Sequence, residues 1–95
     1  MPLQFPNKDP GDRLIYGLDF TEAFDTDEAV SANSWAVSPS GLIIEATPFS
    51  SKVAQVELSG GTAGTVYTLV ATVTTNKGSP PQIWQRNVKI RVKEI

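Results

Sequence analysis

Five carboxylates, Asp19, Glu22, Asp25, Asp27 and Glu28, fall within ten consecutive positions of this chain. A cluster of that kind in a loop offers the hard oxygen ligands that Ca²⁺ takes. The spacing does not fit an EF-hand, because Asp25-Thr26-Asp27-Glu28 lacks the later glycine and the bidentate glutamate that complete such a loop. A solvated acidic loop is the expectation, with no metal. Paired acids also serve glycosidases, but those flank a cleft on rigid elements, and these share one connection. The chain has no His and no Cys, so the commonest proton shuttle, zinc ligands and thiolate chemistry are missing. Ser40 and Ser59 have no imidazole to activate them, and Lys77 sits in a turn with no evident apolar pocket around it. Gly60-Gly61-Thr62-Ala63-Gly64 resembles a phosphate cradle only in composition, since no Gly-Lys-Ser/Thr ending and no following helix supply oriented N–H groups. Neither an enzyme nor a cofactor is expected.

The charged residues divide by position. Residues 1–48 carry eight acids and two bases, and residues 49–95 carry six bases and two acids, leaving a net charge of -2. That total draws in neither nucleic acid nor an anionic membrane. Lys89, Arg91 and Lys93 alternate, so three cations project from one face of a strand. They could protect an edge strand, meet the acidic loop of a second copy, or bind nucleic acid; the last is disfavoured because no aromatic residues interleave with them.

The elements that hold these groups are strands. Nine Val, nine Thr and six Ile are punctuated by seven Gly and seven Pro, a mixture suited to short strands and tight turns. Pro2, Pro6 and Pro10 mark residues 1–12 as an extended arm kept out of any ladder. Residues 13–95 then form one domain, the size a single core supports. Leu14, Tyr16, Leu18 and Phe20 alternate with Arg13, Ile15, Gly17 and Asp19 as a first strand. Val30 starts a second, in which Trp35 and Val37 fall on the opposite parity, so a bulge is expected between Ala32 and Ser34. Leu42-Ile43-Ile44 is a third, closed by Pro48, and residues 53–58 are a fourth with Ala54, Val56 and Leu58 inward. After a glycine corner, Tyr67, Leu69, Ala71 and Val73 line one face of the next, and Trp84, Val88, Ile90 and Val92 that of the last.

No helical crossover links these strands, so the expected fold is an all-β, antiparallel, Ig-like or fibronectin-like sandwich of six to seven strands with an extended N-terminal arm. Tyr67, heading the penultimate strand after a glycine-rich turn, fits a tyrosine corner, whose hydroxyl bonds backbone just upstream. Phe20, Trp35 and Trp84 are assigned to the core, Phe24 and Phe49 to either core or surface, and Phe5 to docking on another surface. No apolar run approaches the roughly 20 residues of a membrane span. The start Met1-Pro2-Leu3-Gln4 lacks the layout of a signal peptide, so synthesis in a cytoplasm is expected.

One run is more specific than the rest: Leu58-Ser59-Gly60-Gly61-Thr62-Ala63-Gly64 with Tyr67 three residues on. With Lys8-Asp9-Pro10, the strand from Leu14 to Phe20, Trp35-Ala36-Val37 and Pro39-Ser40-Gly41-Leu42, it resembles a family of small tailed-bacteriophage virion proteins of the fibre-tail adaptor type. The resemblance spans residues 8–92 and departs at Ser79-Pro80-Pro81-Gln82, where a shorter turn is expected. It implies a structural role in the virion tail, synthesis in a host bacterial cytoplasm, other tail, fibre or portal-proximal proteins as partners, and no catalytic residues. A symmetric ring of copies follows as an expectation; a capsid decoration protein and a carbohydrate-binding module are the alternatives. Partner contacts are expected at Phe5, Lys8 and Asp9 in the arm, at Asp25, Asp27 and Glu28 in the acidic loop, and at Lys89, Arg91 and Lys93.

Overall fold

Alternating apolar residues dictate strands, and the computed structural model, which describes residues 3–78 and 80–94, contains seven of them. They are β1 (Leu3–Gln4), β2 (Leu14–Asp19), β3 (Val30–Ser38), β4 (Leu42–Ala46), β5 (Val53–Gly60), β6 (Val66–Thr75) and β7 (Ile83–Arg91). There is no helix among the described residues. Met1 and Pro2 of the expected arm, Ser79 of the last turn, and Ile95 lie outside them.

Strands β1-β7-β6-β3 form one sheet in that order and β2-β5-β4 the other. Every pairing is antiparallel except that of β1 with β7. Two facing sheets are what one-sided strands require, since each must bury its apolar face against the other. The arrangement of β7-β6-β3 opposite β2-β5-β4 is compatible with an immunoglobulin-like sandwich.

The core runs between the sheets in two connected parts. Around Val56, Leu58, Tyr67, Leu69, Val88 and Ile90 lies the larger; around Phe20, Phe24, Val30, Ala54 and Val73 lies the smaller. Trp35 and Leu18 pack against both. The inward rows expected on β5, β6 and β7 are the buried ones, and each fully buried Val, Leu or Ile contributes about 1.5–3 kcal/mol.

Two expectations need correction. The bulge lies between Val30 and Ala32, upstream of the expected place, leaving Ser31 as the extra residue. Val30 belongs to the smaller core, so parity must switch directly after it to bring Trp35 and Val37 inward as well. The proline-rich arm, for its part, joins the ladder. Leu3 and Gln4 pair with Val88 and Lys89, Phe5 donates its N–H to the Lys89 carbonyl at 2.9 Å, and Lys8 donates to the Arg91 carbonyl at 3.0 Å. Pro6 falls between those donors, so its missing N–H interrupts nothing.

Candidate functional site

The two ends of this sandwich are each organised around a buried ionisable group. At the β5–β6 end, the glycine corner that a Cβ would obstruct sets the geometry. Gly61 has φ +98°, and a Cβ there would come within 2.7 Å of Val92 Cγ2. The loop closes on Tyr67, whose hydroxyl accepts the Thr62 N–H at 2.9 Å, five residues upstream, which is the tyrosine corner the sequence pointed to. Gly41 keeps room for that hydroxyl, since a Cβ there would sit 3.0 Å from it.

Lys8 reaches the same corner from the arm. Its side chain is wholly buried, and Nζ donates to the Gly60 carbonyl at 2.7 Å and the Asp9 carbonyl at 2.9 Å. Burial lowers its pKa from the ordinary lysine value, against the opposing pull of Asp12 and Asp9. Asp9 is half-buried and accepts the Gly11 N–H at 2.8 Å, which holds the turn leading to β2. Phe5 stacks on Tyr16 with ring centroids 4.8 Å apart and lies beside Trp35. Phe5 and Lys8 thus lie inside the domain, correcting their assignment to an exposed contact surface. The stacking of Phe5 on Tyr16 and the bond of Lys8 to the Gly60 carbonyl hold both side chains there.

At the opposite end the acidic connection is tied down by residues from elsewhere in the chain. Glu28 is only 2% exposed, so its assignment to the surface is also corrected. Its carboxylate accepts from Thr75 Oγ1 at 2.8 Å, Trp84 Nε1 at 3.2 Å and the Asp25 N–H at 3.2 Å. Lys52 Nζ donates to the carbonyls of Glu28 at 2.6 Å and Asp25 at 2.8 Å. Lys77 forms an ion pair with Asp25 and stands 3.9 Å from Asp27. Asp19, at the loop's entry, holds a carboxyl lowered in pKa by hydrogen bonds from Thr21. Phe24 completes this end, stacked on Phe20 at 5.0 Å beneath Trp84, while Phe49 is 44% exposed.

Sequence reasoning overlooked Lys52, Trp84's hydrogen bond and the Asn76 clamp, in which Ala29 and Asn76 exchange two bonds of 2.9 Å. Glu28 did carry a signal, an acid set directly before the apolar start of β3 while an inward Trp84 needed an acceptor. Arg86, also unremarked, lies over the rings of Phe20 and Trp84 at 5.6 and 5.4 Å and lines a cavity of about 270 Å³ with Gly17, Leu18, Asp19 and Ala23. Its packing is that of a cation on aromatic faces.

What remains at the surface is charge sorted by face. Lys89, Arg91 and Lys93 are exposed, and the first two stand on the outer face of the four-stranded sheet. They do not protect an edge, because β7 lies between β1 and β6. Glu45 and Glu57, with Arg13 between them at 4.0 and 3.2 Å, occupy the outer face of the three-stranded sheet, while Asp27 is exposed in the loop before β3, beside Lys77. A model of the family described as podophage GP4 fiber-tail adaptor protein gp77 matches residues 8–91. No curated protein matches the chain.

Proposed function

The chain belongs to the podophage GP4 fiber-tail adaptor family, and from that membership we propose a non-enzymatic adaptor that links fibres to neighbouring proteins of the phage tail. The family match over most of the chain carries this reading. A rigid two-sheet body with its reactive-type residues spent on internal locks supports it, because an adaptor needs defined faces and no chemistry. Several copies stand side by side in a symmetric ring, with the basic face of one toward an acidic face of the next. Support comes from Lys89 and Arg91 standing on the outer face of one sheet and Glu45 and Glu57 on the outer face of the other, the segregation a heterologous contact uses. The protein is synthesised in the host bacterial cytoplasm and works in the virion tail.

Deleting the gene and imaging purified particles tests the adaptor role. Particles without fibres are expected, and fully fibred particles lacking the polypeptide by mass spectrometry would overturn it. For the ring, Lys89→Glu with Arg91→Glu should abolish copy-to-copy contact in assembled tails, and restoring charge with Glu45→Lys and Glu57→Lys should recover it. Normal assembly of the first pair would remove this interface.

A further inference from the structure

A sheet edge is a row of unpaired N–H and C=O groups, and proteins blunt it with charge, proline, bulges or brevity. Three of the four edges here are blunted. β1 is two residues long and bracketed by Pro2 and Pro6. β2 has six residues, carries the small Gly17 at its middle, follows Arg13 and ends on Asp19. β4 has five residues, includes Glu45 and loses register between Ile44 and Ala46.

β3 differs in charge, proline and length, and its one bulge lies at its start. Its nine residues, Val-Ser-Ala-Asn-Ser-Trp-Ala-Val-Ser, include no charge and no proline. After the bulge at Ser31 its register with β6 runs unbroken from Ala32 to Ser38. It bonds β6 on one side only; among the described residues, Val30 alone sends a backbone bond elsewhere, to the Ser51 carbonyl. The outward row of Ser34, Ala36 and Ser38 is exposed and small, so nothing bulky stands beside the edge. On the inward row, Asn33 Nδ2 and Trp35 Nε1 are buried donors without an acceptor.

We propose that the β3 edge is the docking site for an extended segment of another virion chain, which adds as a further strand of the four-stranded sheet. This rests on the adaptor reading and names the kind of partner it takes. The mode is β-strand addition, with the incoming main chain pairing to β3 and its alternate side chains meeting the two faces. The segment is uncharged and alternating: small or polar side chains over Ser34 and Ala36, and, opposite Asn33 and Trp35, apolar residues with one hydrogen-bond acceptor. A second copy does not fill the role. Nine residues at about 3.3 Å each, on a sheet about 10 Å thick, give roughly 300 Å² per side. Doubled, that stays below the roughly 1,000 Å² of a stable protein pair. A strand already tethered within the tail needs no such area, because its effective concentration is high.

The test uses phage carrying Ser34→Lys with Ala36→Lys, compared with Gln85→Lys and Asn87→Lys, which add the same charge to the same outer face on β7. Both purified chains should melt close to wild type. Fibre-bearing particles should fall about tenfold or more for the β3 pair and less than about twofold for the β7 pair. Amide exchange over residues 32–38 should slow in assembled tails relative to the free chain. Wild-type fibre numbers with the β3 pair, or unchanged exchange, would overturn the proposal while leaving the adaptor role intact. A purified chain that sediments as a dimer, made monomeric by the β3 pair, would overturn it in favour of a second copy. Fibred particles from the gene deletion would instead overturn the adaptor reading itself.

Discussion

The two ends of the sandwich solve the same problem with opposite charges. Each must fasten a long irregular segment to the sheets, and each does so with one ionisable side chain taken out of water. At one end Lys8 donates to two backbone carbonyls and holds the arm against the glycine corner. At the other Glu28 accepts from a hydroxyl, an indole and a backbone amide, and holds the acidic loop against β6 and β7. The difference lies in what each leaves behind when removed. Carbonyls tolerate partial satisfaction, whereas buried N–H and O–H donors without an acceptor carry their full desolvation cost. The anionic end is therefore the more brittle one.

That contrast predicts an order of effects, with Glu28→Ala the largest. It strands Thr75 Oγ1, Trp84 Nε1 and the Asp25 N–H together, and should cost about 3 kcal/mol or more by chemical denaturation. Glu28→Gln keeps an acceptor and should recover much of the loss; equal losses for the two would show that packing, not acceptance, matters there. Lys8→Met should cost less, about 1–2 kcal/mol near neutral pH, because it preserves volume and leaves only carbonyls unmet. Its pH dependence sharpens the comparison. Burial lowers the folded pKa of Lys8 below the unfolded value, so the unfolded chain binds the proton more tightly. The penalty for charging it is present in full below the folded pKa and fades as pH rises toward the ordinary lysine value. Wild type should gain stability over Lys8→Met across that alkaline window; a flat difference would mean that the amine is not desolvated.

How far the sequence revealed all this depends on the range of the interactions concerned. Strand rows such as Tyr67-Leu69-Ala71-Val73 were legible because a period of two is local, and the tyrosine corner because donor and acceptor are five residues apart. Lys8 and Gly60 are 52 positions apart and Glu28 and Trp84 56, so their partnership exists only once the sheets have met. Both looked like surface charges, as such residues ordinarily are. Phe5 misled for a related reason, since proline spacing hid that the arm's donors still fit the β7 edge. Asp25, Asp27, Lys89, Arg91 and Lys93 are exposed, as a contact role requires, while the openness of β3 appeared only when its neighbours were known.

Within the corner itself the expected effect is smaller. Tyr67→Phe removes one acceptor and leaves the Thr62 N–H unmet in a half-open loop, so a loss of about 1 kcal/mol is expected, with core packing retained. No loss would mean that the glycines alone, with Gly61 at φ +98°, fix the turn.

The smallest effect belongs to Lys77→Ala. Its ion pair with Asp25 lies at the surface, where solvent screens it and side-chain ordering offsets the attraction, so the cost should be about 0.5 kcal/mol or less and should vanish in high salt. The acidic loop stays in place because Lys52 binds its carbonyls and Glu28 its donors, neither of which involves Lys77. A cost near that of Glu28→Ala would reverse the comparison, since it would make the exposed carboxylates, rather than the buried one, the fastening of that end.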